Sequence, residues 1–200
     1  NNETVTLTIS SVSNATISDA TATLTITDDD ATPSVDFNAT SSNGSESASS
    51  KALTVDLSAA SGLDVAVAYT LSGTATGSGT DYTLANGTLT ISAGDTSGTI
   101  TIGSIINDTL DEANETVIVT LTASPTNASL GSDDAHTYTI NDNDATPSLS
   151  INDVTAANED AANRQFTVTL SAASALTVTV NYATSNGTAT AGADYTAISA

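Results

Sequence analysis

Apolar and polar residues alternate along most of this 200-residue chain. The clearest runs in its middle are residues 53–57, 65–71, 117–121 and 138–140, where Val, Leu, Ile or Tyr occupies every second position. This period of two places the apolar side chains on one face of a β-strand and Thr or Ser on the other. No segment of useful length has the 3.6-residue period of an amphipathic helix. The pattern therefore predicts a folded, all-β protein.

Turn signals separate these runs. Ser61-Gly62, Asn86-Gly87 and Gly94-Asp95 are examples, and each combines residues that tolerate tight backbone turns. About seven short strands in roughly 110 residues are typical of an immunoglobulin-like sandwich of two antiparallel sheets. Tyr69, Tyr82 and Tyr138 are the largest candidates for its core.

The chain also repeats itself. Residues 141–148 nearly copy residues 27–34, and residues 114–120 match residues 2–8, which gives a period of about 113 residues. That length is typical of a whole domain. We predict tandem sandwich modules: residues 1–31 are the C-terminal part of one, 32–145 a complete module, and 146–200 the N-terminal part of a third. We expect both ends of the chain to fall within modules of a longer protein.

The charge excludes several functions. The net charge is −21, with only Lys51 and Arg164 positive, so the phosphates of nucleic acid have no basic surface to bind. No apolar run is long enough to span a membrane, and we expect no insertion of this segment. Cysteine is absent, and no Ser or Thr is paired with a suitably placed His, so we predict no enzyme. A composition rich in Thr, Ser, Ala, Asn and Asp favours a secreted protein at a cell surface.

The acidic residues of the complete module are grouped. They concentrate in residues 108–115 and at Asp142 and Asp144, while Glu46 and Asp81 lie in separate loops. Loops that join alternate strands emerge at the same end of a sandwich, so these carboxylates can converge. Two such charges at 4 Å repel by about 4 kcal/mol at an effective dielectric of 20. Ca²⁺, which accepts 6–8 oxygen ligands, would relieve that repulsion. Zn²⁺ prefers Cys and His, and the single His136 is expected to provide ordinary surface or edge polarity.

The order of these elements resembles a Calx-β module. The matching segments are 77–83 (GSGTDYT), 87–91 (GTLTI), 107–116 (NDTLDEANET) and 138–144 (YTINDND). Calx-β modules are the Ca²⁺-binding sandwich repeats of sodium/calcium exchangers and of large bacterial surface proteins. The resemblance extends over the complete module and both partial ones, and it implies the same fold and the same ion here.

The resemblance also implies a set of Ca²⁺ ligands. In the complete module they are Glu46, Asp81, Asp108, Glu112, Glu115, Asp142 and Asp144. The matching positions are Glu159 and Asp194 in the third module, and Glu3, Asp28 and Asp30 in the first fragment. Asn107 and Asn143 stand where exchanger modules tend to carry acids, so we expect fewer or weaker sites, with dissociation constants near 10⁻⁴–10⁻³ M as in extracellular modules.

Position within the chain indicates the role. The acidic turn at Asp142 and Asp144 directly precedes the linker at residues 145–147, and Pro33 and Pro147 stiffen the two junctions. We predict a structural, Ca²⁺-rigidified repeat of an extracellular fibre, stalk or adhesin, with neighbouring modules, or a homopolymer of the protein, as partners. Two alternatives stay open: an adhesive module that binds glycans or a partner protein, and a regulatory Ca²⁺ sensor. Nine Asn-x-Ser/Thr sequences leave glycosylation open as well.

Overall fold

The computed structural model of the protein describes residues 2–122, 124–155 and 163–199. Within these residues, no helix is long and apolar enough to cross a membrane. The described residues form thirteen strands: β1 Glu3–Thr8, β2 Thr21–Ile26, β3 Ser34–Phe37, β4 Ser41–Ser45, β5 Ser50–Leu57, β6 Val65–Gly73, β7 Gly87–Ile91, β8 Ser97–Gly103, β9 Glu115–Leu121, β10 Ser129–Leu130, β11 Ala135–Asn141, β12 Leu149–Ile151 and β13 Val168–Leu170.

The strands β3 to β11 form two sheets. One has the order β10-β3-β5-β8 and the other β4-β11-β9-β6-β7. The predicted all-β, immunoglobulin-like sandwich is confirmed, but the described part of the segment 32–145 has nine strands rather than about seven. The pattern did not predict β4, because its sequence SSNGS has no apolar residue, nor β10, because it has only two residues. Both strands pair in parallel, β4 with β11 and β10 with β3, in a sandwich that is otherwise antiparallel.

The core lies between these two sheets, and the alternating residues supply it. Tyr138 is 1% exposed and Tyr82 is 4% exposed, as the pattern predicted, while Tyr69 is only partly buried against them. The other buried apolar side chains are Val35, Phe37, Leu53, Val55, Leu57, Val65, Val67, Ile91, Ile100, Ile102, Ile105, Val117, Val119, Leu121 and Ile140. Thr and Ser fill most of the outward positions between them, so one side of each sheet faces water.

The chain passes from one sheet to the other between β3 and β4, and His136 holds this crossover. Its Nε2 lies 2.7 Å from the Ser42 hydroxyl, and its Nδ1 is hydrogen-bonded to the Ala39 carbonyl oxygen. The imidazole is 4% exposed, and its centroid is 5.6 Å from that of the Phe37 ring. The expectation of surface polarity for His136 is therefore wrong, since an imidazole with both nitrogens satisfied can be buried.

Two antiparallel strand pairs, β1–β2 and β12–β13, precede and follow the sandwich in the chain. Each has the same pairing register as the strand pair at the matching repeat positions of the sandwich. In β1–β2, Val5 is opposite Leu24, just as Val117 is opposite Tyr138 in β9–β11. In β12–β13, Leu149 pairs with Leu170 as Val35 pairs with Leu57 in β3–β5. The repeat seen in the sequence is thus also a repeat of local structure. The boundaries at 31/32 and 145/146 stay a prediction.

Candidate metal centre

Glu46 and the acidic turn at 142–144 are brought together by the parallel pairing of β4 with β11. Ser45 lies opposite Asn141 in that pair, and the next residue, Glu46, donates its backbone N–H to the Asn141 carbonyl at 3.0 Å. The Glu46 side chain thereby lies beside the residues that follow β11. β4, the polar strand that the sequence pattern did not predict, thus positions the Glu46 carboxylate.

The three carboxylates of Glu46, Asp142 and Asp144 form the tightest group. Each offers an oxygen within 4.8 Å of the other two. Glu46 is 6% exposed, and Asp144 is partly buried. Oε1 of Glu46 and Oδ2 of Asp144 are buried atoms without a hydrogen-bond partner in the described structure. Buried polar atoms are usually hydrogen-bonded, so two unpartnered carboxylate oxygens side by side suit a cation that would bind both.

Asp81 approaches the same end from the loop after β6. Its Oδ2 accepts the Thr76 N–H at 2.5 Å, which closes the loop on itself. Its carbonyl oxygen accepts the N–H of Ile106 at 2.9 Å, at the start of the acidic segment. Gly79, with φ of +88°, makes the tight turn before it. The Gly-Thr-Asp-Tyr motif is therefore a fixed support for one carboxylate.

The acidic segment 108–115 contributes three of the predicted ligands. Glu115 is the first residue of β9, opposite Ile140, and Asp108 caps its own turn by accepting the Leu110 N–H at 2.7 Å. The pKa of Glu115 is raised to about 7, and burial is the largest cause. The neighbouring carboxyl group of Asp81 is the next cause. The carboxyl groups of Glu115 and Asp81 are therefore close neighbours.

The seven predicted ligands of the complete module interact as one cluster. The pKa of Glu46 is raised to about 7, first by burial, then by the adjoining carboxyl group of Asp144, and then by the charges of Asp142, Asp144 and Asp108. Burial raises the pKa of Glu112 as well, together with the charges of Asp108, Asp81, Asp142 and Asp144. The pKa values of Glu46 and Glu112 are both affected by Asp108, Asp142 and Asp144, so the loops that carry these residues lie close enough for their charges to interact. Their role as ligands stays a prediction.

Asn107 and Asn143 connect parts of this cluster. The Asn143 side-chain amide donates to the Asn107 Oδ1 at 2.8 Å and to the Ser45 hydroxyl at 2.9 Å. Asn114 adds a third link, because its Oδ1 accepts the Asp142 N–H at 3.0 Å. By the resemblance, Asn107 and Asn143 stand in place of carboxylates. In the structure they tie the acidic loop, the end of β4 and the acidic turn to one another without adding charge.

The donor set fits a hard cation. Carboxylate oxygens from four separate segments, with bidentate binding available, match the flexible oxygen coordination of Ca²⁺. They match Zn²⁺ poorly, since His136 is engaged with Ser42 and Ala39 within the sandwich. Glu46, Asp142 and Asp144 would hold one face of such an ion, and Asp81, Asp108, Glu112 and Glu115 would provide the rest of the charge. A bound cation would neutralise the charge of these carboxylates and cross-link the loops that carry them.

The N-terminal hairpin repeats only part of this arrangement. Asp28 donates its N–H to Asn2 Oδ1 at 2.8 Å and accepts the Asp30 N–H on its Oδ1 at 3.2 Å, as Asp142 does with Asn114 and Asp144. Glu3, Asp28 and Asp30 line one side of a cleft of about 390 Å³. Its other walls are the linker 31–33, the loop 60–63 and Asn127.

The C-terminal segment likewise repeats one loop. Asp194 accepts the Thr190 N–H at 2.8 Å, and Gly192 has the same φ of +88° as Gly79. Glu159 lies outside the described residues. Among the described residues, only the sandwich of β3 to β11 gathers the acidic turn, the Asp81 loop and the segment 108–115 at one place.

Asp111 was not among the predicted residues, although it lies inside the acidic segment. It is 6% exposed, and its Oδ1 and Oδ2 accept hydrogen bonds from Thr146 at 3.2 Å and Ser174 at 2.9 Å. Its carboxylate is thus directed at the linker and the C-terminal segment. Sequence spacing alone gave no signal that distinguishes it from Asp108 or Glu112.

The fold and its carboxylate-rich end define a β-sandwich module with a candidate cation site. The Calx-beta domain profile matches residues 28–144 and 142–200, and the chain belongs to the Calx-beta family. This confirms the resemblance seen in the sequence. No curated protein sequence matches the chain.

Solved structures show the same fold. CBD12 from CALX1.2 and the calcium binding domain CBD12 of CALX1.1 each superpose with a TM-score of 0.51 at 22% identity. Both matches cover 60% of this chain but only 48% and 50% of theirs, so the chain spans about half their length. The match to the apo-form Calx CBD1 domain also has 22% identity and a TM-score of 0.51. It covers 57% of this chain and 100% of that domain. At this identity the likeness establishes the fold alone. Calcium, the predicted cofactor, is the ion in the CALX1.1 domain's name.

Proposed function

We propose that the chain is a structural Ca²⁺-binding repeat of an extracellular fibre, stalk or adhesin, without enzymatic activity. Ca²⁺ would be held by Glu46, Asp81, Asp108, Glu112, Glu115, Asp142 and Asp144. Its effect would be to stiffen the end of the sandwich and the junction that follows. Membership of the Calx-beta family and the name of the CALX1.1 calcium binding domain support the choice of ion.

The observation that carries the proposal is the pair of unpartnered oxygens on Glu46 and Asp144. A buried carboxylate without a partner costs several kcal/mol, and a folded protein seldom keeps two of them adjacent for no purpose. The raised pKa of Glu46, to about 7, has the same origin, since burial and neighbouring charges disfavour the ionised form. Binding of Ca²⁺ would favour the ionised form instead, so the cluster behaves as a site that lacks positive charge.

The position of the cluster supports a mechanical role. Asp144 is followed directly by the linker 145–147, and Asp142 is tied through Asn114 to the acidic segment. An ion shared by Glu46, Asp142 and Asp144 would therefore cross-link the end of β4 to the residues that enter the next repeat. Without the ion, repulsion between carboxylates should loosen this end of the module first.

Calcium titration of the 200-residue chain tests the proposal. Isothermal titration calorimetry should give binding with a dissociation constant near 10⁻⁴–10⁻³ M, as in extracellular modules. Asp144→Asn should weaken it by about tenfold or more, because a buried ligand charge is lost. Asp30→Asn is the matched control, since Asp30 occupies the same repeat position in the N-terminal hairpin, and it should leave the affinity of the sandwich unchanged. Absence of binding by the unaltered chain would refute the proposal.

The same titration separates the structural role from Ca²⁺ sensing, which the likeness to Calx domains keeps as the second candidate. Sensors bind with dissociation constants of about 10⁻⁷–10⁻⁵ M. A value in that range would favour sensing over a permanently loaded spacer. Labelling of intact cells with an antibody against the module would test the extracellular location, and a signal only after permeabilisation would contradict it.

A further inference from the structure

Asp111 joins the sandwich to residues that follow the linker. Its Oδ1 accepts the Thr146 hydroxyl at 3.2 Å, and its Oδ2 accepts the Ser174 hydroxyl at 2.9 Å. Its carbonyl oxygen accepts the Ala175 N–H at 3.0 Å and shares the Ser174 hydroxyl hydrogen with Oδ2, at an oxygen–oxygen distance of 3.2 Å. Asp111 and Ser174 also form a parallel β-bridge. One residue of the acidic segment thus holds both the linker and the loop after β13.

These bonds distinguish Asp111 from the seven carboxylates of the candidate site. Both of its side-chain oxygens have hydroxyl donors, whereas Glu46 and Asp144 each keep an oxygen without a partner. Hydroxyl donors to an ionised carboxylate are strong and directional. The 6% exposure of Asp111 shields these bonds from water. Asp111 is therefore suited to hold two segments in one orientation rather than to bind an ion.

The surface that receives Asp111 is present twice. Thr32 and Ser61 occupy the repeat positions of Thr146 and Ser174. The loop geometry is the same, because Ser61 accepts the Leu63 N–H and Ser174 accepts the Leu176 N–H, both at 3.1 Å. Thr32 and Ser61 line the cleft of about 390 Å³ described above. A hydroxyl residue at each of these two positions is thus a feature of the repeat and not of one junction.

We propose that Asp111 and the hydroxyl pair Thr146–Ser174 form a docking contact between successive repeats, and that Thr32–Ser61 is the same receiving surface for an aspartate-bearing loop of another repeat. The partner is thereby defined as the acidic segment of a second copy of the module. The inference goes beyond the proposed function, because the contact itself requires no cation. Asp111 nevertheless lies between Asp108 and Glu112, so it connects the candidate site to the junction.

Distance measurements across the junction test this contact. The chain lacks cysteine, so spin labels can be attached at Thr90→Cys on β7 and Thr179→Cys in the C-terminal segment, both exposed positions. Double electron–electron resonance on the otherwise unaltered chain should give a single narrow distance distribution. Asp111→Ala and Ser174→Ala should each cause loss of that narrow peak and a broad distribution in its place.

Ser61→Ala is the matched control, because it removes the same hydroxyl of the repeat where, among the described residues, that hydroxyl donates to no carboxylate. It should leave the narrow peak in place. An unchanged peak in both Asp111→Ala and Ser174→Ala, or equal broadening in Ser61→Ala, would overturn the proposal. Ser174 lies outside the sandwich, so loss of the peak there cannot be attributed to unfolding of the sandwich.

Repetition of these measurements with a chelator separates the two proposals. If the chain binds no Ca²⁺ and the variants still broaden the distribution, the docking contact stands and the proposed function fails. If Ca²⁺ binds and the variants change nothing, the docking contact fails alone.

Discussion

The sandwich and the N-terminal hairpin contain nearly the same pair of strands in two different states of burial. Val117 and Val119 of β9 are 0% exposed, whereas Val5 and Leu7, at the same repeat positions in β1, are 53% and 68% exposed. The register with the neighbouring strand is the same in both. Alternation of apolar residues thus determines which side chains share a face, but a second sheet is needed to bury that face.

The acidic residues follow the same rule. The turn 142–144 and the turn 28–30 have the same internal hydrogen bonds. Among the described residues, only the turn 142–144 has Glu46 beside it, because β4 belongs to the sandwich. Local geometry is therefore a property of the repeat, while the candidate site is a property of the assembled sandwich.

Burial of a charge should give the largest difference between the two regions. Val117→Asp should destabilise the sandwich by more than about 4 kcal/mol, since an unpaired carboxylate would enter the apolar core. Val5→Asp, at the same repeat position on an exposed face, should change the free energy of unfolding by less than about 0.5 kcal/mol. Urea unfolding followed by circular dichroism measures both. Equal effects would mean that the hairpin is buried in solution.

Calcium should stabilise the sandwich and not the hairpin. At a free concentration of 100 times the dissociation constant, the free energy of unfolding should rise by about 2.7 kcal/mol. Hydrogen exchange should show added protection in β9 and β11, with β1 and β2 unchanged. The same concentration of Mg²⁺ is the control and should give a smaller effect, because Mg²⁺ loses its waters reluctantly. Equal protection of β1 and β2 would contradict the restriction of the site to the sandwich.

Acidification should stabilise the cation-free chain. The folded-state pKa values of Glu46 and Glu115 are both raised from 4.5 to about 7. Between pH 4.5 and 7 the folded chain therefore binds more protons than the unfolded chain, and its stability falls as the pH rises through this window. We expect a loss on the order of 1–2 kcal/mol between pH 5 and pH 7.5 in thermal unfolding with a chelator present.

Substitution identifies the source of this pH dependence. Glu46→Gln and Glu115→Gln should each make the stability less dependent on pH, because each removes one titrating carboxyl group from the cluster. Glu3→Gln, at the repeat position of Glu115 in the N-terminal hairpin, is the matched control and should leave the pH profile as it was. A profile that stayed the same in all three variants would contradict the assignment.

A glycine substitution should give the smallest effect. Gly79 and Gly192 both have φ of +88°, in the left-handed region that favours glycine. Gly79→Ala should lower the free energy of unfolding by about 1 kcal/mol through backbone strain and should weaken Ca²⁺ binding through Asp81. Gly192→Ala should have little effect on unfolding of the sandwich. Equal losses in the two variants would show that the C-terminal segment unfolds together with the sandwich.

Much of the fold followed from the alternating residues, because strands with strong apolar alternation such as β5, β9 and β11 carry their own signal. β4 carried none, since its pairing is fixed by β11 and not by its own side chains. The burial of His136 was missed for a related reason. Its two hydrogen-bond partners are Ser42, which lies in that unpredicted strand, and Ala39, which lies in the crossover before it.

The membership of the candidate site stays a prediction from the sequence, whereas the division of its carboxylates into partnered and unpartnered groups is visible only in the structure. Loop order and the resemblance to Calx-β modules indicated the seven carboxylates, yet they could not show that Glu46 and Asp144 keep unpartnered oxygens. Nor could they show that Asp111, between two predicted ligands, faces away toward Ser174. The direction of a side chain in a loop depends on contacts made after the strands assemble.

The sequence by itself determined the strand type, the repeat of about 113 residues and the acidic character of one end of the module, since each is a property of local pattern and spacing. Tertiary structure decided which apolar faces are buried and which carboxylates meet. It also separated Asp111, with its hydroxyl partners, from the seven clustered acids. The physical reason is that burial and charge repulsion depend on distances between segments far apart in the chain, which only the packing of two sheets fixes.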